Sequence, residues 1–335
     1  MPGGVLHLLV SPLVWRRHGQ RLQDIASTHG RQLRAIHATE PCDDQADVAF
    51  FSRDLYEGSN LQRPGLASLA FFEVAMASGR LGWLQVCSSG TDLPDYRPIL
   101  ERTGPRLAVT TGTGSTAQPI ALNVLTAILA FERGFPSWLQ AQAARRWQPH
   151  ARDALPRNIS TLHAVVVGTG AIGSAVARVL RGIGMRVTGV RQSNATHLDF
   201  DATAAYLDLD DLLPSCNWLV LACPLTETTR GLVGSRQLHR LPPGAGLANV
   251  ARGAVLDEAA LLSALEGGRL AHAYLDVFEQ EPLPSQSPLW GTPGVWITPH
   301  NASACAGHED RVVDLFADNL GRWLRGETLV NLMHR

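Results

Sequence analysis

The sequence predicts an α/β protein built on parallel sheets, and three observations predict it. Short apolar runs recur along the chain and alternate with helical patterns. Most of these runs are apolar at every position, as strands covered on both faces require. One of them, Ala164-Val165-Val166-Val167, opens directly into a glycine-rich turn and then a helical stretch. At 335 residues the chain is long for one domain and comfortable for two.

Strands are expected at Val5–Val10, Val48–Phe51, Leu84–Cys87, Leu107–Thr110, Ala164–Gly168, Arg186–Val190, Trp218–Cys223, Gly246–Val250, His272–Asp276 and Val295–Thr298. A helix is expected over Ala171–Arg181. Another spans Glu258–Glu266, with Asp257 as its cap and Gly267 as its left-handed stop. Ile120–Phe131 reads as a long buried or interface helix. Val312, Phe316, Leu320, Trp323 and Leu324 fall on one face of a last helix. The Gly-, Ser- and Thr-rich stretch Gly112–Gln118 marks one boundary, and a second crossing is expected near Thr298–Ala302. The glycine-rich turn begins only at Gly168, so the region before it must fold separately, and the last helix has no room on the second sheet. The expectation is a discontinuous domain, residues 1–116 plus 301–335, with a second domain, 117–300, inserted into it.

Composition removes several function classes. Apolar residues at 45% against 18% charged exclude a disordered chain, and a net charge of −1 speaks against nucleic-acid or acidic-membrane partners. There is no Lys, which removes Schiff-base chemistry and a phosphate-binding P-loop lysine. Cys42, Cys87, Cys216, Cys223 and Cys305 are odd in number and show no C-x-x-C spacing. They read as buried reduced thiols of a cytoplasmic protein, with neither disulfides nor a metal site. Val5–Val10 is too short for a signal peptide and no basic residue precedes it. No apolar run reaches the ~18 residues of a membrane span.

Gly168-Thr169-Gly170-Ala171-Ile172-Gly173 is a G-x-G-x-x-G turn between a strand and a helix, the context that gives this pattern a mechanism. Gly168 permits the tight turn, Gly170 lets a pyrophosphate approach the backbone, and Gly173 lets helix and strand pack closely. The N–H groups opening the helix, from Ala171 and Ile172 on, meet the phosphates. Residues 117–300 are therefore expected to form a Rossmann-like NAD(P)-binding domain. The following strand ends in Arg191, 21 positions after Gly170, with Gln192 and Ser193 next. An NAD site needs an acid there to hold the 2′-hydroxyl. Arg191 instead suits a 2′-phosphate and predicts NADP(H) preferred over NAD(H). An Arg stacked on adenine without phosphate preference is the alternative.

Five segments form an ordered set: Gly168–Gly173, Pro224–Thr229, Asn249-Val250-Ala251-Arg252-Gly253, Asp276–Pro284 and Thr298-Pro299-His300. In this order the chain strongly resembles the D-2-hydroxyacid dehydrogenase family, in its glyoxylate/hydroxypyruvate-reductase-like branch. In the first half Ser88-Ser89-Gly90-Thr91-Asp92 is the clearest match. The resemblance implies two Rossmann-like parallel-sheet domains, the first being the substrate (catalytic) domain. It implies hydride transfer between NAD(P)H and a small 2-keto acid to give a D-2-hydroxy acid, and a homodimer through Ile120–Phe131.

By that resemblance Arg252 is the substrate arginine, whose planar fork suits a carboxylate and a carbonyl oxygen gaining charge. His300 is the acid–base group, and Glu281 its carboxylate partner. Glu279 is a second possible partner, less favoured because the family's acid directly precedes the proline, here Pro282. Asp276 matches the acid that contacts the nicotinamide amide. Cys223, Pro224 and Thr226 match a segment beside the cofactor's sugars and phosphates, and Val250 is counted with them. Ser89 and Gly90 match a loop whose N–H groups meet the substrate carboxylate; a plain strand-to-helix turn is nearly as good a reading. Two departures from the pattern, Leu122-Asn123 and Thr111, put substrate identity and closure in doubt. Two other functions fit the fold: a phosphite-type dehydrogenase and a non-catalytic dinucleotide-sensing protein.

Overall fold

The computed structural model describes residues 4–38, 45–59, 63–90, 95–103, 106–152, 155–193 and 195–333. Cys42, Thr91 and Asp92 lie outside the described residues. The chain divides into two compact units, Met1–Thr116 with Cys305–Arg335, and Ala117–Ala304. The return crossing thus falls at 304/305, beyond the 300/301 of the sequence reading.

Unit 1 opens with β1 (Val5–Leu9), α1 (Pro12–Thr28), β2 (Gln32–Ile36), β3 (Val48–Phe51), α2 (Leu66–Ala77), β4 (Trp83–Val86), α3 (Arg97–Thr103) and β5 (Ala108–Thr110). Ser11 accepts the Val14 N–H at 3.1 Å to start α1, with Pro12 at a first-turn position that needs no donor. Its sheet runs β2-β1-β3-β4-β5, each neighbouring pair parallel. β3 and β4 are buried at every position. β2, absent from the expected strands, is an edge strand whose Gln32 and Arg34 face solvent, so its short alternating pattern carries little apolar signal.

Unit 2 contains α4 (Ala117–Glu132), α5 (Phe135–Ala143), β6 (His163–Val167), α6 (Ala171–Gly182), β7 (Arg186–Arg191), β8 (Ala202–Ala205), α7 (Leu209–Leu212), β9 (Trp218–Leu221), α8 (Ser235–Arg240), β10 (Ala245–Asn249), α9 (Glu258–Glu266), β11 (Leu270–Leu275) and β12 (Val295–Ile297). The sheet order is β12-β11-β10-β9-β6-β7-β8, again parallel throughout. β6, β9 and β10 are buried at every residue. β8 was also unforeseen; four small residues at an edge give no apolar run. Asp257 caps α9, accepting the Ala260 N–H at 2.9 Å. The expected left-handed stop is misplaced by one residue: Gly267 has φ −75° and Gly268 has φ +68°.

The chain then returns to unit 1 as α10 (His308–Arg325), which ends at Gly326 with φ 70°. Val312, Phe316 and Leu320 enter the unit 1 core, where Phe316 stacks on Phe50 and Trp83 at 4.6 and 4.9 Å. Cys87, Cys216 and Cys223 are buried thiols, whereas Cys305, at the crossing, is exposed, contrary to the reading of all five as buried. Among the described residues no helix is long and apolar enough to cross a membrane.

Candidate active site

In unit 2 the strand order reverses between β6 and β9, and open parallel sheets bind ligands outside the carboxyl ends of their strands at such a point. Gly168 follows β6 with φ +103°, and a Cβ there would lie 2.6 Å from the Ala222 carbonyl oxygen and 2.7 Å from Cys223 Cα. A side chain at Gly173 would sit 1.8 Å from the Gly168 carbonyl oxygen. These two glycines let the turn close between β6, β9 and α6. Gly170 differs: no atom lies within 4 Å of the position a Cβ would take. It caps α6, so the N–H groups of Ala171, Ile172 and Gly173 open a 12-residue helix and have no intrahelical acceptor. A positively polarised helix start beside an open glycine is what a pyrophosphate requires, and these residues fit a dinucleotide.

Arg191 ends β7 half-buried, with Gln192 and Ser193 exposed beside it. Its Nη1 donates to the Ala195 carbonyl at 3.5 Å, a weak restraint. After β9, Thr229 closes the next loop: its hydroxyl donates to the Pro224 carbonyl at 2.6 Å and accepts the Thr226 N–H at 2.8 Å. Burial pushes the Cys223 thiol up to about 11, so it stays a thiol and no nucleophile at neutral pH.

The chemistry-bearing side chains stand at the ends of β10, β11 and β12. Asn249, ending β10, ties the next turn by accepting the Ala251 N–H at 3.1 Å and donating to the Arg252 carbonyl at 3.2 Å. Arg252 is half-buried, and its Nη1 donates to the Ala251 carbonyl at 2.8 Å. Gly253 admits no side chain: a Cβ would lie 1.9 Å from the Phe278 carbonyl carbon and 2.2 Å from Glu279 N. The segment carrying Arg252 is thereby pressed against the loop that carries Glu281. His300 Nδ1 donates to Glu281 Oε2 at 2.7 Å, while Glu281 Oε1 accepts the Phe278 N–H at 3.0 Å. Both carboxylate oxygens are thus engaged, and a carboxylate can only accept, which puts the ring proton on Nδ1 and leaves Nε2 for exchange. Glu279, the other acid considered, turns its N–H to Glu258.

His300 has φ 51°, an unfavourable conformation for a non-glycine residue. Asp276 holds it there. Its carbonyl accepts the His300 N–H at 2.8 Å, and Oδ1 accepts from Thr298 Oγ1 at 2.6 Å, Asn301 N at 2.8 Å and Ala302 N at 3.0 Å. The sequence reading gave Asp276 a cofactor contact; in the structure its buried Oδ1 builds the histidine turn.

A glycine turn at the β6 end and an Arg, a Glu–His pair and a buried Asp at the ends of β10 to β12 now stand on one sheet edge. Residues 125–302 match the family model described as D-isomer specific 2-hydroxyacid dehydrogenase, NAD binding domain. The chain belongs to this family. A glyoxylate reductase of Korarchaeum cryptofilum is 39% identical over 170 residues, 51% of this chain and 51% of that protein. The chain spans about half the length of the curated relatives it matches. A crystal structure of a D-isomer specific 2-hydroxyacid dehydrogenase from Xanthobacter autotrophicus, in complex with NADPH and MES, is similar at 28% identity, with TM-score 0.76 over 100% of this chain and 98% of that one. The NADPH-dependent glyoxylate/hydroxypyruvate reductase of Sinorhizobium meliloti, 21% identical with TM-score 0.73 over 99% and 98% of the two chains, shares the fold.

The residues of this chain that depart from the family pattern are well housed. Asn123 donates to the Pro119 and Ala302 carbonyls, both at 3.0 Å, tying α4 to the residue two beyond His300. Thr111 is buried, its hydroxyl 2.7 Å from that of Thr113. In unit 1 Ser89 and Gly90 follow β4. The Ser89 hydroxyl lies 3.2 Å from Thr116 Oγ1, and Ser88 donates to the Gly90 carbonyl at 2.6 Å. Two organising residues escaped the sequence reading. Asn249 stood inside the Asn249–Gly253 motif without a role, and Glu258 showed only as the first residue of a capped helix.

Proposed function

We propose that the protein is an NAD(P)-dependent 2-keto acid reductase that forms D-2-hydroxy acids, with glyoxylate- and hydroxypyruvate-like substrates favoured. The observation that supports this most is the His300–Glu281 pair at 2.7 Å, on the sheet edge that also bears Arg252 and the glycine turn. The bound nicotinamide supplies the hydride. Arg252 holds the substrate carboxylate and steadies charge on the carbonyl oxygen, since its planar fork presents paired donors. His300 delivers a proton from Nε2 to that oxygen during reduction and takes it back in oxidation. Glu281 keeps the ring oriented and holds a proton on its Nδ1. Unit 2 is the cofactor domain: Gly168–Gly173, the Cys223–Thr226 loop, Val250 and Asp276 line it. Unit 1 is the substrate domain, with Ser89 and Gly90 as its substrate-loop residues.

Arg191, Gln192 and Ser193 supply a cation and donors where an acid would repel a 2′-phosphate, so NADP(H) is preferred over NAD(H). The NADPH complex of the Xanthobacter relative accords with that choice. The working form is a cytoplasmic homodimer. The 46% exposed Leu122 on α4 gives it an apolar contact. The test is oxidation of NADPH and NADH against a panel of 2-keto acids, with phosphite and NADP⁺ as a further arm. Turnover of small 2-keto acids supports the reading; turnover of phosphite alone, or of nothing, overturns it.

A further inference from the structure

Peptide 278–279 is where three parts of the site meet. Gly253, next to Arg252, packs on it with no space for a Cβ. The Phe278 N–H goes to Glu281, the histidine's partner, which directly precedes Pro282. The Glu279 N–H goes to Glu258 Oε1 at 2.7 Å, from a residue 21 positions away on a different element. Two successive N–H groups of one loop are therefore held by two carboxylates, one of which carries His300. Glu258 is itself well anchored. It opens α9, whose first turn is fixed by the Asp257 cap and whose N-terminal dipole favours a carboxylate.

From this geometry we infer that Glu258 is a positioning residue for the reaction: it fixes peptide 278–279, and through it the Glu281 carboxylate that orients His300. The inference rests on the reductase reading. A rate that depends on ring orientation is sensitive to displacements of about 1 Å, which cost about 10² in turnover. A charge-assisted hydrogen bond to a backbone N–H is a short, directional restraint suited to that task. The charged groups around the peptide are Glu279 on its own segment, Glu281 on the same loop, Glu258 from α9, Arg252 before Gly253 and His300 from the turn after β12. Burial raises the Glu258 carboxyl above its ordinary value, with repulsion from Glu279 and Glu281 adding to this and the Glu279 N–H opposing it. An amide oxygen can accept the same bond, so the inference separates acceptor from charge.

The experiment compares Glu258→Gln, which keeps the acceptor, with Glu258→Asp, one methylene short, and Glu258→Ala. Two readings are taken: kcat and the KM for NADPH with one keto acid, and the downfield proton resonance of the His300 Nδ1–H, assigned by its loss in His300→Gln. Expected is Glu258→Gln within about threefold of the parent in kcat, and Glu258→Asp and Glu258→Ala lower by about 10- to 100-fold with the KM for NADPH unchanged. The resonance stays in place in Glu258→Gln and shifts or broadens in the other two. An unchanged kcat and resonance in Glu258→Asp overturns the inference, as does Glu258→Gln behaving like Glu258→Ala in both readings. A parent protein that reduces no keto acid overturns the reductase reading, and the resonance comparison then still decides whether Glu258 holds the pair.

Discussion

Gly253→Ala is the most informative small change in this molecule. A methyl group there would lie 1.9 Å from the Phe278 carbonyl carbon and 2.1 Å from its oxygen, both backbone atoms. Restoring the 3.4 Å of ordinary contact requires about 1.5 Å of separation between the Arg252 segment and peptide 278–279. That movement exceeds the tolerance of the 2.7 Å bond from Glu279 N to Glu258 and carries Glu281 with it. A misplacement of about 1 Å costs about 10² in rate, and overpacking costs about 1–3 kcal/mol of stability. We expect kcat to fall by at least about 10², a lower Tm, and an unchanged Kd for NADPH, because the glycine turn stands on β6, two strands from β10. Stopped-flow NADPH oxidation gives kcat, fluorescence titration gives Kd, and circular dichroism checks the fold. A folded variant with kcat within about threefold of the parent would refute the reasoning, by showing that Arg252 and the Glu281 loop need no fixed separation.

Gly170→Ala should behave in the opposite way. No protein atom opposes its methyl group, so Tm should hold while NADPH affinity falls, as calorimetry can test; unchanged affinity would contradict a pyrophosphate at this turn. Arg191→Asp should shift the NADPH/NADH ratio of kcat/KM toward NADH by one to two decades, the worth of a charge-assisted hydrogen bond of about 1.5–3 kcal/mol, and the parent's preference should shrink with salt. A parent ratio at or below unity would mean that Arg191 reads no phosphate. For Glu309, burial first and Asp54 second raise the carboxyl from 4.5 to about 7. A raised value means its stability contribution is present below about 4.5 and lost as pH rises through 7, so Glu309→Gln should gain Tm over the parent across that window. His163, His272 and His308, lowered chiefly by burial, destabilise both proteins alike as pH falls below 6.5 and cancel in the difference. A pH-independent Tm difference would contradict the assignment.

The sequence carries much of this fold because parallel strands buried on both faces are uniform apolar runs, and such runs mark β3, β6, β9 and β10. The edge strands β2 and β8 carry no such signal, since one is half polar and the other is four small residues. Arg252, Glu281 and His300 were legible through motif order, and the choice between Glu279 and Glu281 followed from Pro282. The work of Asp276 was not, because its contacts are to backbone N–H groups of a turn, and one-dimensional patterns do not record which carboxylate closes which turn. Glu258 was hidden for the same reason: its partner is a backbone group 21 residues away. Gly267 against Gly268 shows the limit at helix ends, where adjacent glycines compete for one left-handed position.

The measurement closest to the central claim is the single-turnover rate of keto acid reduction in His300→Gln against the parent, at saturating NADPH and substrate. A positioned acid–base group contributes about 10²–10⁴, so the variant should be slower by that factor while its Kd for NADPH stays unchanged. A single-turnover rate within about threefold of the parent would contradict the assignment of proton transfer to His300.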